Sequence, residues 1–261
     1  MKILLIADVV AKAGRELMEV FLPALIQEHS LDFIVANGEN LAHGLGVTAE
    51  TADEMFRVGV DVLTSGNHIW DKKEVIAYIS GDSRLLRPAN YSPDSPGKGY
   101  IIAKSRNGQK IGVLNLQGRV FMGPSDDPFR IGMQIVEKIQ RETPVILVDM
   151  HGEASSEKQA MGWYLDGKVT AVYGSHTHVP TADQRILPGG TAYVTDVGMT
   201  GPYDSIIGME KEPIIQKFLD QMPVRFQPAQ GNPIMHAILL NVDDRTGHAL
   251  SIQRVVRQIE A

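Results

Sequence analysis

"VYGSHTHVP" (residues 172–180) places His176 and His178 one residue apart, directly after a run of β-branched and aromatic residues that reads as a strand. Alternate side chains of an extended chain point the same way, so a His-x-His pair presents two imidazoles to one site. Two convergent imidazoles suggest a metal, but surface loops also carry histidines. The decision therefore rests on what ends the other strands.

Upstream of this stretch lie the apolar runs "KILLIA" (2–7), "DFIVA" (32–36), "DVLTS" (61–65) and "PVILVDM" (144–150), and the run "TAVYG" (170–174) leads into it. They are short, rich in β-branched residues and mostly preceded by helix-like segments, which predicts buried strands with crossover helices. Helices are predicted over 14–29, 48–59, 71–79 and 130–142, with Thr48, Glu50 and Thr51 offering N-terminal capping chemistry. "GYIIAKS", "KIGVLNL", "TAYVT", "MHAILLNV" and "ALSIQRVV" read as strands without long helices between them. A second sheet is expected.

With 261 residues the chain is long enough for one large α/β domain or two small ones. The Gly/Pro-rich stretches at 87–99, 118–129 and 183–203 are short and return to strand-like sequence, so they read as loops of one domain spanning 1–261. A net charge of −6 disfavours broad capture of a long nucleic acid, because duplex binders present a basic stripe. The chain has no cysteine, which excludes disulfides and thiolate chemistry and leaves nitrogen and oxygen as metal ligands. "MKILLIADVV" is too short in its apolar run for a signal-peptide core or a membrane span, so a cytoplasmic protein with no membrane contact is expected.

The five strands of the alternating part are followed in turn by Asp8, by Asn37-Gly38-Glu39-Asn40, by Gly66-Asn67-His68, by His151, and by Ser175-His176-Thr177-His178. In open α/β sheets the functional crevice lies outside the carboxyl ends of the strands, where these segments would converge. Turn chemistry accounts for Asp, Asn and Gly at such places but does not require four histidines. Asp8, Glu39, Asn67, His151, His176 and His178 make a set too large for one ion, so two metals are implied. Hard oxygen and borderline nitrogen ligands suit iron(II) or manganese, with zinc also accommodated. A paired centre of this kind favours in-line hydrolysis of a phosphate ester, with no protein nucleophile needed.

The blocks "D…NGEN…GNH…H…GSHTH" resemble the calcineurin-like metallophosphoesterases. "NGENLAHGLGVT", "TSGNHIWDKKE", "RPANY", "GEASSEK", "SHTHVPTAD" and "GMTGPYDSIIG" together resemble the YmdB-like branch, from Met1 to about Gly208 and thinning thereafter. The resemblance implies a four-layer αββα sandwich of the metallo-dependent phosphatase type. It implies that Asp8 and His178 hold one metal, that Asn67, His151 and His176 hold the other, and that Glu39 bridges them, with Asn40 beside the first metal and the phosphate. It also implies that His68 is the general acid facing the leaving oxygen, after in-line attack by a metal-bridging hydroxide. One departure from the wider superfamily is Val10, which stands where the D-x-H histidine is usual.

His43, on a loop between Gly44 and the Glu39 block, is a candidate substrate contact. Met161, Trp163 and Tyr164 have near-helical spacing suited to core or to a homo-oligomer contact, and Phe121, Met122 and Tyr203 lie in loops from which they could stack on a base or pack between subunits. The expected partner is a small phosphate ester, with a 2′,3′-cyclic mononucleotide the best match by resemblance. The alternatives are a phosphomonoesterase of broad specificity and a non-catalytic protein that senses a nucleotide.

Overall fold

The computed structural model describes residues 1–81 and 84–259. The chain opens with β1 (Lys2–Val9), α1 (Ala11–His29), β2 (Phe33–Asn37), α2 (Ala49–Arg57), β3 (Val62–Thr64) and α3 (Val75–Gly81). These are followed by β4 (Tyr100–Lys104), β5 (Lys110–Gln117), α4 (Pro128–Ile139), β6 (Ile146–His151), α5 (Ser155–Tyr164), β7 (Ala171–Ser175), β8 (Arg185–Ile186) and β9 (Ala192–Val194). β10 (Met199–Pro202), α6 (Lys211–Asp220), β11 (Pro233–Val242) and β12 (Ala249–Gln258) complete it.

Among the described residues two sheets of six strands result, ordered β12-β11-β10-β1-β2-β3 and β4-β5-β6-β7-β9-β8. β1 pairs in parallel with β2, and β2 with β3, while β5, β6, β7 and β9 run parallel in the other sheet. The period of two along each strand builds the layers. Ile3 and Leu5 of β1 face a core shared with Val113, Leu147 and Tyr173 of the second sheet. Leu4 and Ile6 face the opposite way, against Leu17, Met18 and Leu22 of α1. Leu114, Ile146 and Val148 likewise turn outward onto Val136 and Ile139 of α4 and Met161 of α5. Helix, sheet, sheet and helix are thus stacked as the αββα expectation has it.

The predicted helices are present with shifted ends. Thr48 caps α2, its hydroxyl accepting from Thr51 N at 3.2 Å while Thr48 N donates to the Thr51 hydroxyl at 3.0 Å. Asp127 caps α4 and Pro128 opens it. One reading is corrected: the end of the 183–203 loop is strand β10, which pairs in parallel with β1 and antiparallel with β11. No helix among the described residues is long and apolar enough to cross a membrane.

Candidate metal centre

Both sheets send the carboxyl ends of their parallel strands to one edge. Asp8 lies near the end of β1, Glu39 and Asn40 in the turn after β2, and Asn67 and His68 in the turn after β3. From the second sheet come His151, which ends β6, and His176 and His178 just past β7. Asp8, His176 and His178 have φ values of +34°, +95° and +65°. Such left-handed conformations of non-glycine residues cost energy and cluster at functional sites.

The contacts fall into two groups that meet at Glu39. In the first, the His151 Nε2 atom lies 3.0 Å from Asn67 Oδ1 and 3.1 Å from Glu39 Oε1, and the His176 ring stands edge-on to His151 with centroids 4.8 Å apart. One ligand atom from each of Glu39, His151 and His176 lies within 4.8 Å of the others. Gly66 is required here, because a Cβ on it would fall 2.1 Å from the His151 ring. In the second group, His178 Nε2 is 3.1 Å from Asn40 Nδ2 and 3.7 Å from Asp8 Oδ1, and Asn40 Nδ2 reaches Glu39 Oε1 at 3.5 Å. Asp8 Oδ2 accepts from His176 N at 2.9 Å, which ties the groups together.

The imidazoles are oriented from behind. The Ser175 hydroxyl donates to buried Asp149 at 2.6 Å and so accepts from His151 Nδ1 at 2.9 Å, leaving Nε2 for the site. His178 Nδ1 donates to Ile207 O at 2.8 Å, with the same effect. Burial pushes the Asp8 carboxyl up to about 6, against the pull of His178. Burial alone would raise Glu39, but His151 outweighs it and holds Glu39 at about 2. For His151, burial is outweighed by Glu39 and the imidazole is pushed up to about 9. His176, desolvated and beside His151, falls to about 3 and stays neutral.

His68 donates from its backbone N–H to Glu39 Oε2 at 3.1 Å, and its ring Nδ1 pairs with Asp71 Oδ2 at 2.8 Å. It lines a cavity of about 860 Å³ whose floor includes Glu39, Asn40, His176 and His178. Apolar side chains line the same cavity, among them Ile207, Met209, Ile214, Phe218 and Phe226.

Other predicted residues lie elsewhere. His43 is exposed and lines a separate cavity with Arg15 and Gln227, away from the strand-end cluster. Tyr203 packs against His236, with its hydroxyl on Met199 O, and Phe121 is 88% exposed and does not line the site cavity. Val10 is buried with Met199 between Gly201 and Gly208, at either of which a Cβ would come within 3.0 Å of its side chain. Asp71, Asp149 and Ser175 were not among the predicted site residues. The H-x-x-D spacing of "HIWD" was the available signal for Asp71.

The four-layer sandwich, with carboxylates, amides and imidazoles at the carboxyl edge of both sheets, defines a protein of the calcineurin-like metallophosphoesterase fold. The model of the YmdB-like proteins matches residues 4–255, and the chain belongs to that family. It is 47% identical over 256 residues to the 2′,3′-cyclic-nucleotide 2′-phosphodiesterase of Bacillus subtilis (strain 168), covering 98% of this chain and 97% of the relative. A crystal structure of a hypothetical protein from Thermus thermophilus superposes with a TM-score of 0.93 at 41% identity, covering 99% of each chain. That of a novel phosphatase from Mycoplasma pneumoniae gives 0.93 at 31% identity, over 99% of this chain and 93% of the other. The likeness therefore continues well past Gly208, where the motifs thin.

Proposed function

We propose that this protein is a metal-dependent phosphodiesterase that opens small cyclic phosphodiesters, 2′,3′-cyclic nucleotides above all. The observation that carries this reading is the cavity that joins the carboxylate–imidazole cluster to an apolar wall in about 860 Å³, within the roughly 300–1,000 Å³ of small-molecule sites. One end suits a phosphate between metals, the other a flat apolar group, and a nucleotide has both. The name of the Bacillus subtilis relative agrees.

The residues fit two divalent transition metals. Asp8 Oδ1 is buried without a hydrogen-bond partner among the described residues, a state that is costly for a carboxylate and is relieved by a cation. The donors are carboxylate, amide and imidazole, a set suited to iron, manganese or zinc. Asp8 and His178 would hold one ion, with Asn40 beside them; Asn67, His151 and His176 the other; and Glu39, in reach of both groups, would bridge. When bound, such a pair supplies Lewis acidity at phosphorus and lowers the pKa of water for in-line attack. His68 acts as the general acid: Asp71 occupies its Nδ1, so Nε2 is the nitrogen that gives a proton to the departing ester oxygen. The apolar residues of the cavity offer the base a surface to pack against.

The test is a comparison of kcat/KM, with added Mn²⁺, for 2′,3′-cyclic AMP and GMP, a linear dinucleotide, 3′-AMP and long RNA. The cyclic diesters are expected to be the best substrates, and inorganic phosphate to compete. A preference for 3′-AMP would favour a phosphomonoesterase. Binding of the cyclic nucleotide without turnover would mean a sensor.

A further inference from the structure

The "GEASSEK" segment ends in a lysine that the chemistry above does not use. Lys158 sits on α5 with its side chain 1% exposed, paired with Asp196, which is 0% exposed. Lysine is almost never fully buried unless paired, and apolar residues of like volume in place of such a pair often leave stability unchanged or improve it. Stability alone therefore does not account for a charged pair here.

What the pair touches does. Lys158 Nζ donates to Asp196 Oδ2 at 2.8 Å and to Ser175 O at 2.6 Å. The same Asp196 oxygen accepts from Thr177 N at 3.2 Å and from the Thr177 hydroxyl at 2.8 Å, while Oδ1 accepts from Gly198 N at 2.8 Å. The residue before His176 and the residue between His176 and His178 are thus held by one ion pair. Both histidines have positive φ, a path that the surroundings must impose. Gly174, the residue before Ser175, has no room for a side chain: a Cβ there would fall 1.8 Å from the Thr195 backbone carbonyl oxygen and 2.9 Å from Lys158 Cδ.

We infer that Lys158 and Asp196 form a positioning pair that sets the path of residues 175–178, and with it the placement of the His176 and His178 imidazoles for metal. The inference rests on the metal reading above. Its test is titration of metal-free protein with Mn²⁺, followed by calorimetry, for wild type, Lys158→Met, Asp196→Asn, and Met161→Ala as a control. Met161 is buried on the same helix but packs in the outer core.

Lys158→Met and Asp196→Asn are expected to weaken Mn²⁺ binding about 10–100-fold, as loss of a group that orients metal ligands does. Met161→Ala, equally or more destabilised in thermal unfolding, is expected to keep wild-type affinity. Mn²⁺ affinity of both pair variants within threefold of wild type overturns the inference. If they do not fold, Thr177→Val at a half-exposed position decides: a smaller loss of affinity supports the inference and no loss overturns it. Failure of wild type to bind Mn²⁺ would count against the metal reading instead. The inference is then read from the histidine ring resonances of metal-free protein. Lys158→Met, or Thr177→Val where the former does not fold, should move those of His176 and His178 and spare those of His29 and His248; unmoved His176 and His178 signals overturn it.

Discussion

His151 is held on one nitrogen by Ser175 and on the other by Glu39 and Asn67, so in metal-free protein it stays charged to about pH 9. Its raised pKa contributes stability that is fully present below about 6.5 and lost as pH rises through 9, while that of Glu39, lowered to about 2, is present above 4.5 and lost as pH falls through 2. A metal held as proposed above would have to displace the His151 proton. Apparent metal affinity is therefore expected to rise with pH, up to about tenfold per unit below pH 9, with proton release visible as a buffer-dependent heat in calorimetry. A pH-independent affinity between 6.5 and 8.5 would refute it. His68→Ala should leave Mn²⁺ content intact and lower turnover roughly 10²–10⁴-fold, with a smaller loss for a nitrophenyl ester that leaves without a proton. Metal loss equal to that of His151→Ala would contradict the general-acid role. The strand-end residues were legible because parallel strands deliver their C-terminal neighbours to one edge. Asp149 was not, because inside "VILVDMH" a buried carboxylate looks like one more strand residue until Thr64, Asn37 and Ser175 are seen around it.

At the scale of elements, α6 is the part that sequence reasoning passed over. Its segment "KEPIIQKFLD" carries a proline near its start and buries only Ile214, so no apolar stripe marks it as a core helix. Phe218 is instead 79% exposed and Phe226, beyond the helix, 40% exposed, with the Lys217 ammonium 4.7 Å from the Phe226 ring centre. Both rings line the site cavity, which accounts for apolar residues left unburied. Phe226→Ala and Phe218→Ala are expected to raise KM for 2′,3′-cyclic AMP on the order of 10-fold each, equivalent to the ~1–3 kcal/mol of a base–aromatic stack. kcat/KM for a small diester without a base should change little. Equal losses on both substrates would point to a misshapen site. β10 was hidden for a different reason: "MTGP" has the Gly and Pro of a loop and becomes a strand only because β1 and β11 flank it.

For the whole molecule, the fold class was legible from the two kinds of strand neighbourhood, but not that the last three strands close the first sheet. Asp8, Glu39 and Asn67 belong to that sheet and His151, His176 and His178 to the other, so bound metal would fasten the two together. With free metal 100-fold above Kd the gain is about 2.7 kcal/mol, which for a chain of this size raises Tm by about 5–10 °C. We propose one domain over 1–261, and so a single calorimetric transition that a chelator lowers as a unit. Two separated transitions would argue for independent halves. The closure of the first sheet also sets a timetable. The Met1 ammonium donates to Val242 O, 241 residues away, and β1 runs beside β10 and β11. A ribosome adding roughly 5–20 residues per second leaves β1 without those neighbours for tens of seconds. Its open edge must be shielded meanwhile. A nascent chain halted at Asp196 would already carry every proposed metal ligand, yet it is expected to remain unassembled and to fall to chaperones or proteases.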